Sequence, residues 1–185
     1  MRPRLVAVDR DGTLIRWVHH LTREEDITML PGSGEAIARL NRAGITVALV
    51  TNQSVVGRGL ISLETLASLH SHMDELLHAK GAHLDHYLVC PHAPGVGCQC
   101  RKPSPTLLLG LMTDMGVQPH EVVLIGDTQS DMRTAENAGV LGMRVLSGIP
   151  GEGSGSDLEF PDLREAVEYL LGTDSTDSRD HAHVG

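Results

Sequence analysis

Five short apolar runs, rich in β-branched residues, decide what this chain can fold into. They are LVAVD (Leu5 to Asp9), ITVALVT (Ile45 to Thr51), HYLVC (His86 to Cys90), VVLIGD (Val122 to Asp127) and GMRVLSG (Gly142 to Gly148). Their near-continuous apolarity, in place of alternation, is the pattern of strands covered on both faces. Helix-period segments lie between them. SGEAIARLNRAG has an N-cap candidate in Ser33 and stops at Gly44. SLETLASLHSHMDELLHAKG repeats apolar residues at Leu66, Leu69, Met73, Leu76 and Leu77 and stops at Gly81. SPTLLLGLMTDMG places Ser104 and Pro105 at cap and first-turn positions, SDMRTAENAG ends in another glycine, and PDLREAVEYLLG makes a last helix. Strands alternating with helices predict βαβ units and a doubly wound, Rossmann-like α/β fold with a mainly parallel sheet.

One domain over 1–172 is expected, since 185 residues suit a single core. GIPGEGSGSD reads as a Gly/Ser-rich surface loop. The tail over 173–185 lacks apolar periodicity and is expected to be disordered, with His181 and His183 solvated within it. The formal charge of -9 argues against a nucleic-acid partner, because a polyanion needs a basic surface. No apolar stretch approaches the roughly 18 residues of a membrane span, and the N-terminus lacks a signal-peptide pattern. Three clustered cysteines make a poor disulfide framework. A cytoplasmic protein, monomeric or a small homo-oligomer, is the expectation.

Four of the five runs end in a residue capable of chemistry: Asp9, Thr51, Cys90 and Asp127. Ligands of open α/β sheets sit beyond the carboxyl ends of the strands. DRDGT pairs Asp9 with Asp11, two carboxylates that can divide the roles of nucleophile or metal ligand and acid/base; an Asp-rich turn is the plain alternative. GDTQSD supplies Asp127 and Asp131. If the first and fourth runs are neighbours, Asp9 and Asp127 would repel unless a divalent cation lay between them, and magnesium suits a few carboxylates plus phosphate oxygens. TNQS offers hydroxyl and amide donors at Thr51 and Asn52, or simply a turn. Arg101 and Lys102 form a basic pair able to meet anionic oxygens. Just before them, Cys90, His92, Cys98 and Cys100 make C-x-H…C-x-C, four ligands for a closed tetrahedral zinc site; a metal-free reduced loop and a redox role are the alternatives.

VAVDRDGTLI, VTNQS, CRKPSP and IGDTQSDM, in this order, resemble the four motifs of the haloacid dehalogenase superfamily of aspartate-nucleophile phosphotransferases. With the cysteine loop before RKP, the resemblance is closest to the D,D-heptose 1,7-bisphosphate phosphatases and the related histidinol phosphatase domain. It implies that Asp9 attacks phosphorus and that Asp11 protonates the leaving oxygen, then activates water. It also implies magnesium held by the Asp9 carboxylate, the Asp11 backbone carbonyl and Asp127, with Asp131 nearby, and phosphoryl contacts from Thr51, Asn52 and Lys102. The spacing between motifs leaves no room for a large cap domain, so substrate selection falls to loops, with Arg58, Arg101 and Trp17 as candidates, or to a partner subunit; Arg58 and Arg101 are a pair able to bind a distal phosphate. The implied activity is a magnesium-dependent phosphatase of a phosphorylated sugar, D-glycero-D-manno-heptose 1,7-bisphosphate at its 7-phosphate. Histidinol phosphate or another small phosphomonoester is the alternative substrate. A phospho-accepting signalling module is the alternative of another class, which Asp11 disfavours because it supplies the acid/base that turnover needs. Val55, Ile15 and Thr128 depart from the heptose enzymes' usual Gly, Asn and Lys.

Overall fold

Residues 2–148 and 158–172 are described by a computed structural model. The expected Gly/Ser loop over 148–157, apart from Gly148, and the expected disordered tail with His181 and His183 lie outside the described residues. Six strands form one sheet: β1 (Leu5–Val8), β2 (Thr46–Asn52), β3 (His86–Cys90), β4 (Val122–Gly126), β5 (Leu141–Val145) and β6 (Glu159–Phe160). All neighbours are parallel, in the order β3-β2-β1-β4-β5-β6. The five expected strands are present, displaced by at most a few residues at their ends. β6 is an addition to them; at two residues it is too short to leave a periodic pattern.

Successive residues of each strand feed opposite faces, which explains the unbroken apolar runs. Val6, Val8, Leu49, Ile125 and Val145 enter one core with residues of α1 (Ser33–Arg42), α3 (Leu63–His78) and α6 (Leu163–Leu171). Leu5, Ala7, Ala48, Val50 and Leu124 enter the other, under α4 (Thr106–Met115) and α5 (Gln129–Ala138). Each fully buried Leu or Val contributes about 1.5–3 kcal/mol of transfer free energy. With so few aromatic rings, these aliphatic side chains build both cores.

Two helix starts differ from the sequence reading. Ser33 is the first residue of α1, with Gly32 at the cap in the left-handed region (φ 78°). The Ser33 hydroxyl instead donates to the carbonyls of Leu14 (2.8 Å) and Leu30 (2.9 Å), tying the segment after β1 to this helix. Pro105, not Ser104, is the cap of α4. A one-turn helix, α2 (Ser54–Gly57), follows β2 directly.

The chain runs β1 to β2 to β3 outward, then returns to the other side of β1 with β4. The crevice beyond the carboxyl ends of β1 and β4 is therefore the topological switch point. Asp9 and Asp127 are the first residues past those two ends. Between Asp9 and α1 there is a single 3-10 turn, and between α2 and β3 only α3. Among the described residues no cap domain covers the crevice, in line with the motif spacing. No helix among them is long and apolar enough to cross a membrane.

Candidate active site

The Asp9 amide donates to the Ile125 carbonyl (2.9 Å), so β4 fixes the residue that ends β1. Gly12 then turns the chain at φ 80°. A Cβ there would lie 2.4 Å from Asp127 Oδ2, so both the backbone angle and the contact require glycine. The turn thus delivers Asp9 against Asp127. Carboxylate oxygens of Asp9, Asp127 and Asp131, all buried, lie within 4.8 Å of one another.

Lys102 sits among them. Its Nζ is 2.8 Å from Asp9 Oδ1 and 2.5 Å from Asp131 Oδ1, and donates to the Val50 carbonyl at 2.9 Å. Burial opposes the Lys102 charge, but Asp131 and Asp9 outweigh it and raise its pKa. Burial raises the Asp9 carboxyl to about 6, with Asp131 and Asp11 adding to the rise and Lys102 opposing it. Asp127 is pushed to about 8 by burial and then by repulsion from Asp9 and Asp131. One ammonium cannot balance three carboxylates. Among the described residues Asp127 Oδ1 also has no hydrogen-bond partner. A hard divalent cation held by Asp9 and Asp127 fits both facts, since it would satisfy that oxygen and return both carboxyls to their ionised forms.

Asp131 is placed differently from a cation ligand. Its Oδ2 accepts from the Thr128 amide (3.0 Å) and hydroxyl (2.6 Å), capping α5, while Oδ1 holds Lys102. It anchors the lysine. Asn52 anchors the same residue through its backbone. The Asn52 Nδ2 donates to the Lys102 carbonyl (3.2 Å) and its Oδ1 accepts from the Lys102 amide (3.0 Å). Asn52, expected to contact a phosphoryl group, is seen here to fix Lys102 to the end of β2.

Asp11 is held by residues that the sequence reading does not single out. Arg10 Nε and Nη2 reach its two carboxylate oxygens at 3.1 Å each, and Gln53 Nε2 donates to Oδ2 at 2.9 Å. Gln53 Nε2 also donates to Thr51 Oγ1 (2.8 Å), while Gln53 Oε1 accepts from Arg10 Nη2 (2.8 Å).

These groups open onto a cavity of about 500 Å³ whose wall includes Thr51, Asn52, Arg101 and Lys102. Trp17, His19 and His20 form another part of the wall, with the two histidine rings 3.9 Å apart and tilted by 40°. Arg58 does not line the cavity: it is exposed at the C-terminal end of α2. Its charge is felt at His20, whose pKa is lowered by desolvation, His19 and Arg58. Of the two arginines expected at the substrate, Arg101 therefore lines the cavity and Arg58 is exposed beside it, near His20.

The cysteine loop closes on itself. Cys90 Sγ lies 3.7 Å from His92 Nδ1 and from Cys98 Sγ, while Cys100 Sγ lies 3.3 Å from Cys90 Sγ and 3.2 Å from His92 Nδ1. Zinc–sulfur bonds of about 2.3 Å would put tetrahedral sulfurs about 3.8 Å apart, so the donor set fits zinc. All three cysteines are free. Burial and the Cys90 and Cys98 sulfurs push the Cys100 thiol up to about 12, the response of crowded thiolates that a cation would relieve. The loop is also docked on the site: the Gln53 amide donates to Cys90 O and the Gly57 amide to Pro91 O, both at 2.8 Å. Arg101 Nη1 donates to His92 O at 3.3 Å.

The family model described as haloacid dehalogenase-like hydrolase matches residues 16–139, about two thirds of the chain. The chain belongs to this hydrolase family. Among relatives, the D-glycero-beta-D-manno-heptose-1,7-bisphosphate 7-phosphatase of Pseudomonas aeruginosa is 36% identical over 176 residues, covering 90% of this chain and 97% of that protein. The enzyme of the same name from Pseudomonas putida is 35% identical over 146 residues, covering 78% and 83%. The solved D,D-heptose 1,7-bisphosphate phosphatase from B. bronchiseptica, complexed with magnesium and phosphate, superposes with a TM-score of 0.84 at 34% identity, covering 91% of this chain and 98% of that one. In this haloacid dehalogenase-like hydrolase, then, Asp9, Asp11, Thr51, Asn52, Arg101, Lys102 and Asp127 share one cavity, and Arg58 stands outside it.

Proposed function

We propose that this hydrolase is a magnesium-dependent phosphatase that acts on D-glycero-D-manno-heptose 1,7-bisphosphate at the 7-phosphate through a phosphoaspartate on Asp9. The observation that carries the reading is the placement of Asp9 on the cavity floor, between Lys102 and Asp127, with Asp11 two residues on. The names of its relatives supply the sugar; the site supplies the chemistry.

An Asp9 carboxylate oxygen bonds to phosphorus as the bond from phosphorus to the sugar oxygen breaks, and Asp11 gives that oxygen its proton. Water then bonds to the same phosphorus, the Asp9 oxygen leaves, and the water's proton passes to Asp11. Lys102 and the Thr51 hydroxyl stabilise the equatorial oxygens throughout. Thr51 Oγ1 already accepts a hydrogen bond from Gln53 Nε2, so its own hydrogen is directed elsewhere and is available to phosphate. Asp9, the Asp11 backbone carbonyl and Asp127 would hold magnesium, which supplies further neutralisation of phosphoryl charge. Cys90, His92, Cys98 and Cys100 would hold zinc as a brace for Arg101 and Lys102. Reduced thiols suit a cytoplasmic enzyme, and a small phosphorylated sugar suits the open cavity.

A panel of phosphate esters assayed with magnesium and with EDTA tests this. Turnover of the heptose bisphosphate at least tenfold above histidinol phosphate, lost in EDTA, is expected. The reverse preference overturns the substrate, and stoichiometric phosphorylation without turnover overturns the enzyme reading in favour of a phospho-accepting module.

A further inference from the structure

Arg10 is among the largest fully buried side chains of the protein, at 2% exposure. A buried guanidinium is tolerated only when its donors are satisfied. Here they face three acceptors: the Asp11 carboxylate in a two-pronged contact, Gln53 Oε1 at 2.8 Å and His70 Nε2 at 3.5 Å from Nη1. Burial first, then the Arg10 charge, lower the His70 pKa to about 4. His70 is therefore neutral and presents a lone pair to the guanidinium. Gln53 is fixed in one orientation, because turning its amide over would set Oε1 against the Asp11 carboxylate and its NH2 against Arg10. Both oxygens of Asp11 are thus gripped by groups that are themselves immobilised.

We propose that Arg10 and Gln53 are positioning residues for Asp11, a clamp formed from the residue before Asp11 and the third residue of TNQS that aims its carboxylate at the leaving oxygen. The inference rests on the phosphatase reading above. Neither residue touches the reacting phosphorus; each acts through Asp11, and Gln53 also orients the Thr51 hydroxyl. The clamp gives the second aspartate of DRDG, on a turn open to the cavity, three hydrogen bonds that hold its carboxylate in one orientation. Asp11 contributes only if its carboxylate lies within hydrogen-bond reach of the departing sugar oxygen, and misplacement by about 1 Å can cost about 100-fold.

The test uses the dependence on leaving group. A sugar alkoxide needs a proton to depart, whereas 4-nitrophenolate does not. The kcat/KM values report formation of the phosphoenzyme, the step in which that proton is given. Gln53→Met, close in volume, and Arg10→Lys, which keeps the charge without the fork, are each compared with wild type on the best sugar phosphate and on 4-nitrophenyl phosphate. The ratio of the two kcat/KM values is expected to shift at least tenfold against the sugar phosphate in both variants. Any loss through Thr51 affects both esters and cancels in the ratio. On an Asp11→Asn background the same substitutions should move the ratio less than twofold, because the group they position is gone. Equal losses on both esters in an active, folded enzyme, or a further shift on the Asp11→Asn background, overturn the inference. A wild type that hydrolyses neither ester overturns the phosphatase reading, and this inference with it.

Discussion

Lys102 Nζ stands 2.8 Å from Asp9 Oδ1 at the buried floor of the cavity, and Asp131 at 2.5 Å holds it there from behind. In the proposed mechanism the lysine serves both the attacking carboxylate and the phosphoryl oxygens that gather charge. Lys102→Met should lower kcat about 100- to 1,000-fold, the range for loss of a preorganised charge-stabilising group. It should also cost about 3 kcal/mol of stability in metal-free protein by leaving buried carboxylates unpaired. Steady-state kinetics and denaturant unfolding with and without magnesium check both, and added magnesium should recover part of the stability but not the rate.

The His70 contact with Arg10 makes a prediction about pH. Its folded pKa, about 4, lies below the ordinary value of 6.5. Above about 6.5 both folded and unfolded states carry neutral His70 and there is no penalty. As pH falls from there towards about 4, the unfolded state takes up a proton that the folded state refuses, so stability falls; below 4 the loss levels off. The full loss is about 3 kcal/mol. Asp11 and Arg10 face this ring and the tilted Tyr87 ring lies beside it at 5.3 Å, so carboxylates titrating in the same window must be cancelled by comparison. His70→Gln, which retains an acceptor for Arg10, should show a flatter stability profile than wild type by that amount between pH 7 and pH 4. Identical profiles would contradict the neutral histidine.

The cysteine loop should carry about one zinc per chain by elemental analysis. Cys98→Ser and Cys100→Ser should lose the metal and most of the activity, although neither residue lines the cavity. The loss should fall on KM and kcat together, because both Arg101 and Lys102 follow the loop. A zinc-free, fully active wild type would contradict the bracing role.

Gly57 is where the helix after TNQS meets that loop. A Cβ there would sit 2.3 Å from the Ala93 amide nitrogen and 2.8 Å from the His92 carbonyl carbon. Backbone on both sides cannot yield without separating the loop from α2. Gly57→Val should therefore destabilise the protein by about 1–3 kcal/mol and reduce zinc retention during dialysis against a chelator. Unchanged melting and zinc content would show that the two backbones are free to separate.

The sequence is most legible where chemistry follows directly on an apolar run. Asp9, Thr51, Cys90 and Asp127 can be placed on one sheet edge because strand ends fix residues to within about a residue, and parallel strands share that edge. Arg10 and Gln53 cannot be placed in the same way. An arginine is rarely buried, and between two aspartates it reads as a surface charge; only the fold brings His70, sixty residues later, and Gln53 around it. Arg58 shows the limit of proximity in sequence. It follows TNQS closely, which suggests the cavity, but it ends α2 as an exposed residue and is not part of the cavity wall. Asn52 reads as a phosphate donor from its neighbour Thr51, whereas its pairing with the Lys102 backbone depends on a contact fifty residues away. β6 pairs only Glu159 and Phe160, too short a run for periodicity to detect.

In the proposed mechanism the Asp9 carboxylate is the nucleophile. Turnover of Asp9→Asn with magnesium, on the best phosphate ester of the wild type, tests it most directly, with circular dichroism to confirm the fold. The amide keeps the shape of the side chain but cannot form the phosphoaspartate, so turnover should fall by about 10,000-fold or more. Turnover within about tenfold of wild type would contradict the account.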